Sequence, residues 1–457
     1  MKRPRTPLYA HQEAAVRKLA PLPYGALFME MGTGKSRTAI ELAHRWGVGN
    51  VVWFTPVSLK ETVRREIRKH VPWSQPYVFG SHTGNGKLPH HFWTIIGIES
   101  MSSSTRQVLA ANALINNHTL VIVDESSYIK GHRSWRTLRI TDAGRRAGRK
   151  LILTGTPMSQ GVEDLFAQMR FLDKCILDYS SWYVFARNHL EYSEKYPGMI
   201  LRAHDTALLA DKIAPWTYQV TKDECLDLPP KIRKSVYYEM SPEQRAAYER
   251  AKWEILESAP EYELDIYTLF RLFTALQQIT SGYWRRGPDD VVELPDPRFD
   301  ALVELLGHVQ GQVIIWCKYL RSLHKIADAL QDAALLYGGL NERQRNVEIE
   351  RFKDGDAQFL IATAATGGHG LNLTEATTVI FHESSFKYAE RLQAEDRCHR
   401  IGQNHKVLYI DVVCSGSIDE RIAKSLAKKR DAVEDFKRKV NLAKDDPDAM
   451  HELLEAL

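Results

Sequence analysis

Short apolar runs alternate with segments of helical spacing along most of the chain. In the first half these runs lie at 25–28, 51–54, 94–96, 120–123 and 151–153. In the second half they lie at 313–317, 359–361, 378–381 and 407–410. Strands that alternate with helices are typical of a parallel sheet covered by helices. The pattern therefore predicts an α/β protein with two doubly wound parallel-sheet lobes.

The periodic pattern loosens between the two halves. Residues 176–230 are rich in aromatic side chains, which favours a packed helical region over disorder. Pro229 and Pro230 mark a hinge, because neither residue can continue a helix or a central strand. We therefore expect a first lobe at 1–175, a helical insertion with a hinge at 176–230, a second lobe at 231–430, and a charged C-terminal helix or tail at 431–457.

Composition is that of a globular chain with room for two or three domains. The 457 residues are 44% hydrophobic and 26% charged. No run approaches the ~20 apolar residues of a membrane helix. The five cysteines are scattered, without the spacing of a zinc site or a disulfide framework, as expected in a reducing cytosol. The net charge of +4 permits a nucleic-acid partner without requiring one.

The turn after the first apolar run carries the pattern of a phosphate-binding loop. Glycines let backbone amides approach phosphate oxygens, and the N-terminus of the following helix points its amides at the anion. A lysine there neutralises the β- and γ-phosphates, and a hydroxyl after it binds Mg²⁺. The full pattern opens with glycine where this chain has Met29, so a glycine turn before an ordinary helix stays the alternative. The loop residues are Gly32, Thr33, Gly34, Lys35 and Ser36.

Two acids follow the apolar run 120–123 directly. Asp124 would hold Mg²⁺, and Glu125 would orient or deprotonate the attacking water. An acidic turn after a strand is common in isolation, so this pair gains its meaning from the phosphate loop upstream. Near the N-terminus, Gln12 has an amide that can both donate to and accept from an adenine edge, which indicates ATP.

Residues 131–150 are rich in arginine and contain a single acid, Asp142. Such a segment is either a solvated helix face or a surface that faces DNA. The sequence leaves both interpretations open.

Taken together, these segments resemble the Swi/Snf family of DNA translocases, within helicase superfamily two, from about Leu8 to Lys429. The most specific stretch is 393–403, which reads Gln-Ala-Glu-Asp-Arg-Cys-His-Arg-Ile-Gly-Gln. The resemblance implies two RecA-like lobes, with Arg397 and Arg400 reaching the γ-phosphate from the second lobe. Arginine suits this role because its fixed cationic fork matches phosphate oxygens. It also implies that Gln12 reads the adenine.

The resemblance implies further site residues. Gly370 and Gln393 would contribute to the nucleotide site from the second lobe. Segments 153–158 and 161–172 resemble the motif that couples hydrolysis to movement. DNA contacts are expected at Pro56, Ser58, Ser100 and Thr363.

Two departures from the family pattern matter. Ser126 and Ser127 follow the acid pair where the family usually has Ala-His, which leaves open how the site senses the second lobe. Residues 218–222 stand where an arginine pair usually appears. Residues 363–373 are closer to fork-remodelling members than to chromatin remodellers, and no histone-reading module, zinc finger or nuclease motif is visible.

The resemblance thus implies a monomeric ATP- and Mg²⁺-dependent translocase, without a membrane partner, that acts on duplex or branched DNA. The chain resembles compact bacterial or phage-encoded members of the family, so we expect the protein in the cytoplasm of a bacterial or phage-infected cell. Two other functions stay open at this point. One is an ATP-gated DNA clamp or recruitment factor with little translocation, and the other is an RNA helicase.

Overall fold

The chain forms two compact units, Met1–Asp227 and Leu228–Leu457. The computed structural model describes residues 3–80, 83, 91–158, 161–193, 200–257, 266–364, 371–400, 402–428, and 431, 432, 435, 436 and 439. In these ranges no helix is long and apolar enough to cross a membrane. Most of the expected C-terminal tail at 431–457 lies outside the described residues.

A seven-stranded sheet forms the centre of the first unit. Its strands are β1 (Tyr24–Met29), β2 (Asn50–Thr55), β3 (Tyr77–Val78), β4 (Trp93–Gly97), β5 (Thr119–Asp124), β6 (Arg149–Leu153) and β9 (Thr217–Val220). Strands β7 (Leu190–Tyr192) and β8 (Ile200–Ala203) form a separate antiparallel pair. The sheet order is β3-β4-β2-β5-β6-β1-β9, and every neighbouring pair is parallel. The carboxyl ends of these strands therefore meet at one edge.

Helices cover both faces of this sheet. They are α1 (Ala10–Leu19), α2 (Lys35–Arg45), α3 (Lys60–His70), α4 (Ser100–Ser103), α5 (Thr105–Leu114), α6 (Trp135–Gly144), α7 (Glu163–Leu172), α8 (Trp182–His189), α9 (Thr206–Ile213) and α10 (Lys222–Cys225). Short 3₁₀ helices lie at Val57–Leu59, Ser126–Ile129 and Ala214–Trp216.

Alternate residues of each strand serve the two faces, as a pleated strand requires. In β2, Val51 and Trp53 join one core and Val52 and Phe54 join the other. Helices α1 to α3 pack on the first of these cores. Helices α4 to α9 pack on the second. Because both faces are covered, the strands are apolar without a break, which is why the sequence shows them as continuous runs.

The second unit has a six-stranded parallel sheet of order β10-β17-β16-β13-β15-β14. Its strands are β10 (Lys231–Tyr238), β13 (Val313–Cys317), β14 (Ala334–Leu336), β15 (Phe359–Thr363), β16 (Thr378–Phe381) and β17 (Val407–Cys414). Strands β11 (Tyr283–Arg285) and β12 (Val291–Glu293) form an antiparallel hairpin. The described helices are α11 (Pro242–Glu257), α12 (Ile266–Thr280), α13 (Pro297–Leu306), α14 (Leu320–Ala329), α15 (Glu342–Lys353), α16 (Tyr388–Glu395) and α17 (Ile418–Ala427).

The predicted fold class is confirmed: the protein is α/β, with two RecA-like parallel-sheet lobes. The interpretation of 176–230 as a helical insertion needs correction, because β9 lies in this segment and extends the first sheet beside β1. Only Thr217 and Val220 of this strand are buried. An edge strand with so little apolar surface leaves no hydrophobic run in the sequence.

Candidate functional site

The predicted strand–turn–helix context of the phosphate loop is confirmed. Strand β1 ends at Met29, and α2 begins at Lys35. Gly32 and Gly34 between them have φ values of 80° and 89°, in the left-handed region that favours glycine. A Cβ atom on Gly34 would lie 2.0 Å from the Gln12 amide nitrogen, so a side chain there would displace the Gln12 amide. The loop and α1 are thus packed directly together.

Lys35 is held over the start of the loop. Its Nζ donates to the carbonyl oxygens of Met29 at 2.9 Å and Glu30 at 3.3 Å. Carbonyl dipoles orient the ammonium group but leave its charge available for an anion. Ser36 lies next to it in the first turn of α2 and is half-buried.

Gln12 is tied to the loop backbone. Its side chain is buried, Nε2 donates to the Thr33 carbonyl at 3.1 Å, and Oε1 accepts from the Tyr9 amide at 3.1 Å. His11 Nε2 donates to the same Thr33 carbonyl at 2.7 Å. The structure therefore gives Gln12 a part in fixing the loop. Each of the two amide atoms keeps a further hydrogen-bonding position for an adenine edge.

Asp124 ends β5 as a buried carboxylate. It accepts from Trp53 Nε1 at 3.4 Å and from the Glu125 amide at 3.0 Å. Burial raises the pKa of the Asp124 carboxyl to about 7, and the Glu125 charge adds to this while Lys35 opposes it. A nearby divalent cation would offset the cost of burying this charge. In the described part of the chain no group of three or more His, Cys, Asp or Glu side chains is placed to hold a metal ion. The Asp124 carboxylate and the Ser36 hydroxyl offer oxygen ligands, which Mg²⁺ prefers.

Glu125 has an unusual backbone conformation. Its φ of 51° and ψ of 57° are left-handed, which a non-glycine residue rarely adopts. Such a conformation costs on the order of 1–3 kcal/mol and is found mainly at functional sites. The Glu125 carbonyl accepts from the Tyr128 amide at 2.9 Å, which stabilises the turn.

Ser126 connects the acid pair to segments 153–158 and 161–172, which resemble the coupling motif. Its buried hydroxyl donates to Gln168 Oε1 at 2.6 Å. Gln168 Nε2 in turn donates to the carbonyl oxygens of Pro157 at 2.7 Å and Asp164 at 2.8 Å. Sequence reasoning did not identify Gln168 individually. The only signal in the sequence was a hydroxyl at a position where the family usually has alanine.

The turn at Thr154 and Gly155, which we call the coupling turn, lies beside the phosphate loop. Strand β6 stands between β5 and β1, so Thr154 and Gly155 follow the strand between the acids and the loop. A Cβ atom on Gly155 would lie 3.3 Å from the Met31 amide nitrogen. The phosphate loop, the acids and the coupling turn thus meet at the carboxyl edge of three neighbouring strands.

The expected DNA contacts of the first unit also lie together. Pro56 and Ser58 follow β2, and Ser100 follows the adjacent β4. A Cβ atom on Gly97 would lie 2.6 Å from Val57 Cγ2 and 3.0 Å from Ser100 Oγ, which shows how closely the two segments approach. Ser58 is exposed, Ser100 is half-buried and Pro56 is buried. The two hydroxyls can therefore meet phosphates, while Pro56 shapes the turn.

The arginines of 131–150 are largely anchored within the unit. Arg139 Nη1 donates to the Met101 carbonyl at 2.8 Å, Arg146 Nη2 to the Asn112 carbonyl at 2.7 Å, and Arg149 Nη1 to the Leu22 carbonyl at 2.9 Å. Arg133 and Arg136 lie over tyrosine rings. The segment is therefore not a simple solvated helix face.

In the second unit, Arg397 and Arg400 lie between α16 and β17, at the amino edge of the sheet. Arg397 is buried, and its carbonyl accepts from the Leu373 amide at 3.1 Å. Arg400 Nη1 donates to the Leu371 carbonyl at 2.9 Å. These two hydrogen bonds hold segment 397–400 against the backbone that precedes β16.

Glu395 organises the cations around this segment. It is buried and accepts from Lys231 Nζ at 3.1 Å, Arg233 Nη2 at 2.7 Å and Arg391 Nε at 2.9 Å. Burial alone would raise the pKa of the Glu395 carboxyl, but these three cations hold it below its ordinary value. A second acid, Asp396, lies 3.5 Å from Lys231 Nζ.

The remaining candidates of the second unit are placed as follows. Gln393 is half-buried in α16, on the same edge as the arginines. Thr363 ends β15 at the opposite, carboxyl edge and is 8% exposed. Gly370 lies outside the described residues. The structure therefore groups Gln393 with Arg397 and Arg400, but not Thr363.

Two family descriptions match these units. Residues 21–281 match "SNF2-related domain", and residues 297–402 match "Helicase conserved C-terminal domain". Since the first match covers more than half of the chain, the protein belongs to the SNF2-related family. Members of this family are DNA-dependent ATPases.

Several known proteins are similar to this chain. A mouse protein named "DNA annealing helicase and endonuclease ZRANB3" is 26% identical over 412 residues, covering 85% of this chain and 37% of the mouse protein. The "CHD3-type chromatin-remodeling factor PICKLE" of Arabidopsis thaliana is 24% identical over 454 residues, covering 88% and 32%. The chain thus spans about a third of the length of these relatives. A "Sulfolobus solfataricus SWI2/SNF2 ATPase core in complex with dsDNA" is 21% identical, with a TM-score of 0.45 and coverage of 100% and 98%.

Proposed function

We propose that this protein is an ATP-dependent DNA translocase that acts on duplex or branched DNA. One observation carries the proposal: the phosphate loop, the acid pair and the coupling turn meet at one edge of the first sheet, linked by Ser126 and Gln168. Membership of the SNF2-related family supports the same function.

In this proposal the first unit binds and positions ATP. Amides of the loop and Lys35 hold the phosphates, and Gln12 supports the loop while reading the adenine. Mg²⁺, held through Ser36 and Asp124, would neutralise charge on the phosphates. Glu125 orients the attacking water and accepts its proton.

The second unit supplies positive charge when ATP binds. We propose that Arg397 and Arg400 then reach the γ-phosphate, with Gly370 and Gln393 beside them. ATP closes the two lobes because both bind the same anion, and hydrolysis removes that link. Ser58, Ser100 and Thr363 would hold phosphates of the DNA in turn, so that each cycle moves the motor along the duplex.

Branched DNA is the substrate that we favour. Residues 363–373 resemble fork-remodelling members, and the mouse relative is named a DNA annealing helicase. A motor that pulls duplex through itself can migrate a branch without a separate wedge. We place this activity, carried out by a monomer, in the cytoplasm of a bacterial or phage-infected cell. The free cysteines fit the reducing compartment that this location implies.

The test measures ATP hydrolysis with single-stranded, duplex, forked and four-way DNA and with RNA. We expect duplex and branched DNA to stimulate hydrolysis most, and a third strand to be displaced from a triplex during turnover. Stimulation without displacement would indicate an ATP-gated clamp, and stronger stimulation by RNA would indicate an RNA helicase. If a mobile four-way junction stimulates hydrolysis but releases no arms, only simple duplex translocation remains.

A further inference from the structure

An aromatic and basic surface lies on the α4–α9 side of the first sheet. We call it the Trp135 surface and define it by Arg133, Trp135, Arg136, Arg139 and Tyr183. Trp135 is 67% exposed and Tyr183 is 66% exposed. Exposed aromatic rings that lie beside several arginines form a candidate binding surface.

The arginines of this surface are fixed against aromatic rings. Arg139 lies 5.4 Å from the centre of the Trp135 ring and also donates to the Met101 and Ser102 carbonyls, at 2.8 Å and 3.0 Å. Arg133 lies over the Tyr183 ring and donates to its hydroxyl. Rings and cations are therefore held in place before any ligand arrives, which lowers the entropy cost of binding.

The helices that carry the rings are mostly basic, although α7, which packs against α6 and α8, carries Glu163 and Asp164, and Asp164 pairs with Lys130. Helices α4, α5, α6 and α8 contain one acid, Asp142, and it pairs with Arg145 at 3.4 Å. The arginines of these helices and of the turns before and after α6 are Arg106, Arg133, Arg136, Arg139, Arg145, Arg146 and Arg187. The ligand of this surface should therefore be a polyanion.

The surface is continuous with an expected DNA contact. Arg139 binds the carbonyls of Met101 and Ser102 in α4, and α4 begins at Ser100. A polyanion that passes Ser100 would reach Arg139 and Trp135 next. This neighbourhood favours DNA over an acidic protein.

We propose that the Trp135 surface binds single-stranded DNA. Unstacked bases would lie on the Trp135 and Tyr183 rings, and the arginines would contact the phosphates between them. Duplex DNA offers no free base faces along its length, so it would use the cations but not the rings. The proposal goes beyond the motor function: a strand released at a branch would be held here, and this binding needs no ATP.

The experiment compares binding of a fluorescent oligothymidine and of a duplex by anisotropy, without nucleotide. Trp135→Ala combined with Tyr183→Ala should weaken binding of the single strand by about tenfold or more, since two base–aromatic stacks are lost. Binding of the duplex, and ATP hydrolysis stimulated by it, should stay near wild type. Trp135→Phe keeps a ring and should retain most of the single-strand affinity.

Trp73→Ala is the matched control. Trp73 is a 44% exposed tryptophan of the same unit, and it follows α3, which packs on the other sheet face. This variant should bind the single strand as wild type does. Unchanged single-strand binding by the double alanine variant would overturn the proposal and leave the surface to a protein partner. An equal loss of single-strand and duplex binding would also overturn it, because the rings would then have no specific part.

The outcome is separable from the proposed motor function. If duplex DNA does not stimulate ATP hydrolysis by the wild-type protein, the motor function fails while single-strand binding can still be measured. If hydrolysis is stimulated normally but the double alanine variant binds the single strand unchanged, only the Trp135 surface proposal fails. Circular dichroism of each variant checks that the fold is retained.

Discussion

The two groups of candidate phosphate-binding residues are built in opposite ways. The loop of the first unit lies at the carboxyl edge of its sheet and is made of backbone, with glycines at positive φ and a lysine held by carbonyl groups. The arginine segment of the second unit lies at the amino edge of its sheet, beside a buried carboxylate and its cations. The first arrangement is fixed by a short loop and its contacts with α1, whereas the second depends on side chains from several distant elements.

This difference has a functional consequence. A loop whose shape is fixed by its glycines and by Gln12 and His11 of the same unit can bind a nucleotide whatever the second unit does. Arg397 and Arg400 are positioned through the 371–376 backbone, next to acids that contact β10. We therefore expect substitutions in the loop to abolish the chemistry outright, and substitutions in the arginine segment to abolish its stimulation by DNA.

The largest effect should come from Lys35→Ala. This change removes the one side-chain cation of the loop and should lower basal and DNA-stimulated ATP turnover alike by orders of magnitude, since electrostatic stabilisation dominates phosphoryl transfer. Steady-state hydrolysis with saturating duplex DNA measures it. Lys18→Ala, which removes an exposed lysine from α1, should behave as wild type. Near-normal turnover by Lys35→Ala would contradict the assignment of this loop to ATP.

Glu125→Gln should separate binding from hydrolysis. The amide keeps the size of the side chain but cannot accept a proton from water, so ATP should bind and remain intact. Equilibrium binding of a fluorescent ATP and a single-turnover assay measure the two steps. Substantial hydrolysis by this variant would remove Glu125 from the catalytic role.

Arg397→Ala and Arg400→Ala test the arginine segment of the second unit. Each should lower DNA-stimulated hydrolysis by about 10³, the usual contribution of an arginine finger, and leave most ATP affinity intact. Arg250→Ala is the matched control, because Arg250 is an exposed arginine of the same unit that pairs with Glu254. Thermal unfolding of each variant detects a loss of stability, which is a concern for the buried Arg397. Wild-type stimulation in either variant would place the finger elsewhere.

Ser126→Ala should have an intermediate effect. It restores the residue that the family usually has but leaves Gln168 Oε1 buried without the Ser126 hydroxyl, at a cost of about 1–3 kcal/mol. We expect near-normal ATP hydrolysis with fewer triplex strands displaced per ATP, because the acids lose their link to the coupling turn. Ser127→Ala, at the adjacent position, is the control. An unchanged ratio of displacement to hydrolysis would show that the link is only structural.

Local patterns in the sequence predicted most of the fold and the first half of the site. Buried strands are continuous apolar runs, and the loop needs glycines whatever surrounds it. Long-range contacts could not be predicted this way. Strand β9 has too little apolar surface to appear as a hydrophobic run in the sequence. Gln168, the partner of Ser126, is 42 positions away. The arginines of 131–150 bind backbone carbonyls, which any sequence could supply.

The smallest effect sharpens the description of the phosphate loop itself. Gln12 donates to the Thr33 carbonyl, so Gln12→Ala should loosen the loop. The affinity for every nucleoside triphosphate should then fall by about threefold, which corresponds to one ordinary hydrogen bond. If the free hydrogen-bonding positions of the Gln12 amide also contact adenine, the affinity for ATP should fall a further few-fold, and the affinity for GTP should not. Competition binding of ATP and GTP measures the two losses, with Gln107→Ala in α5 as the control. We expect the preference for ATP over GTP to fall, and an equal loss for both nucleotides would leave Gln12 as a support of the loop alone.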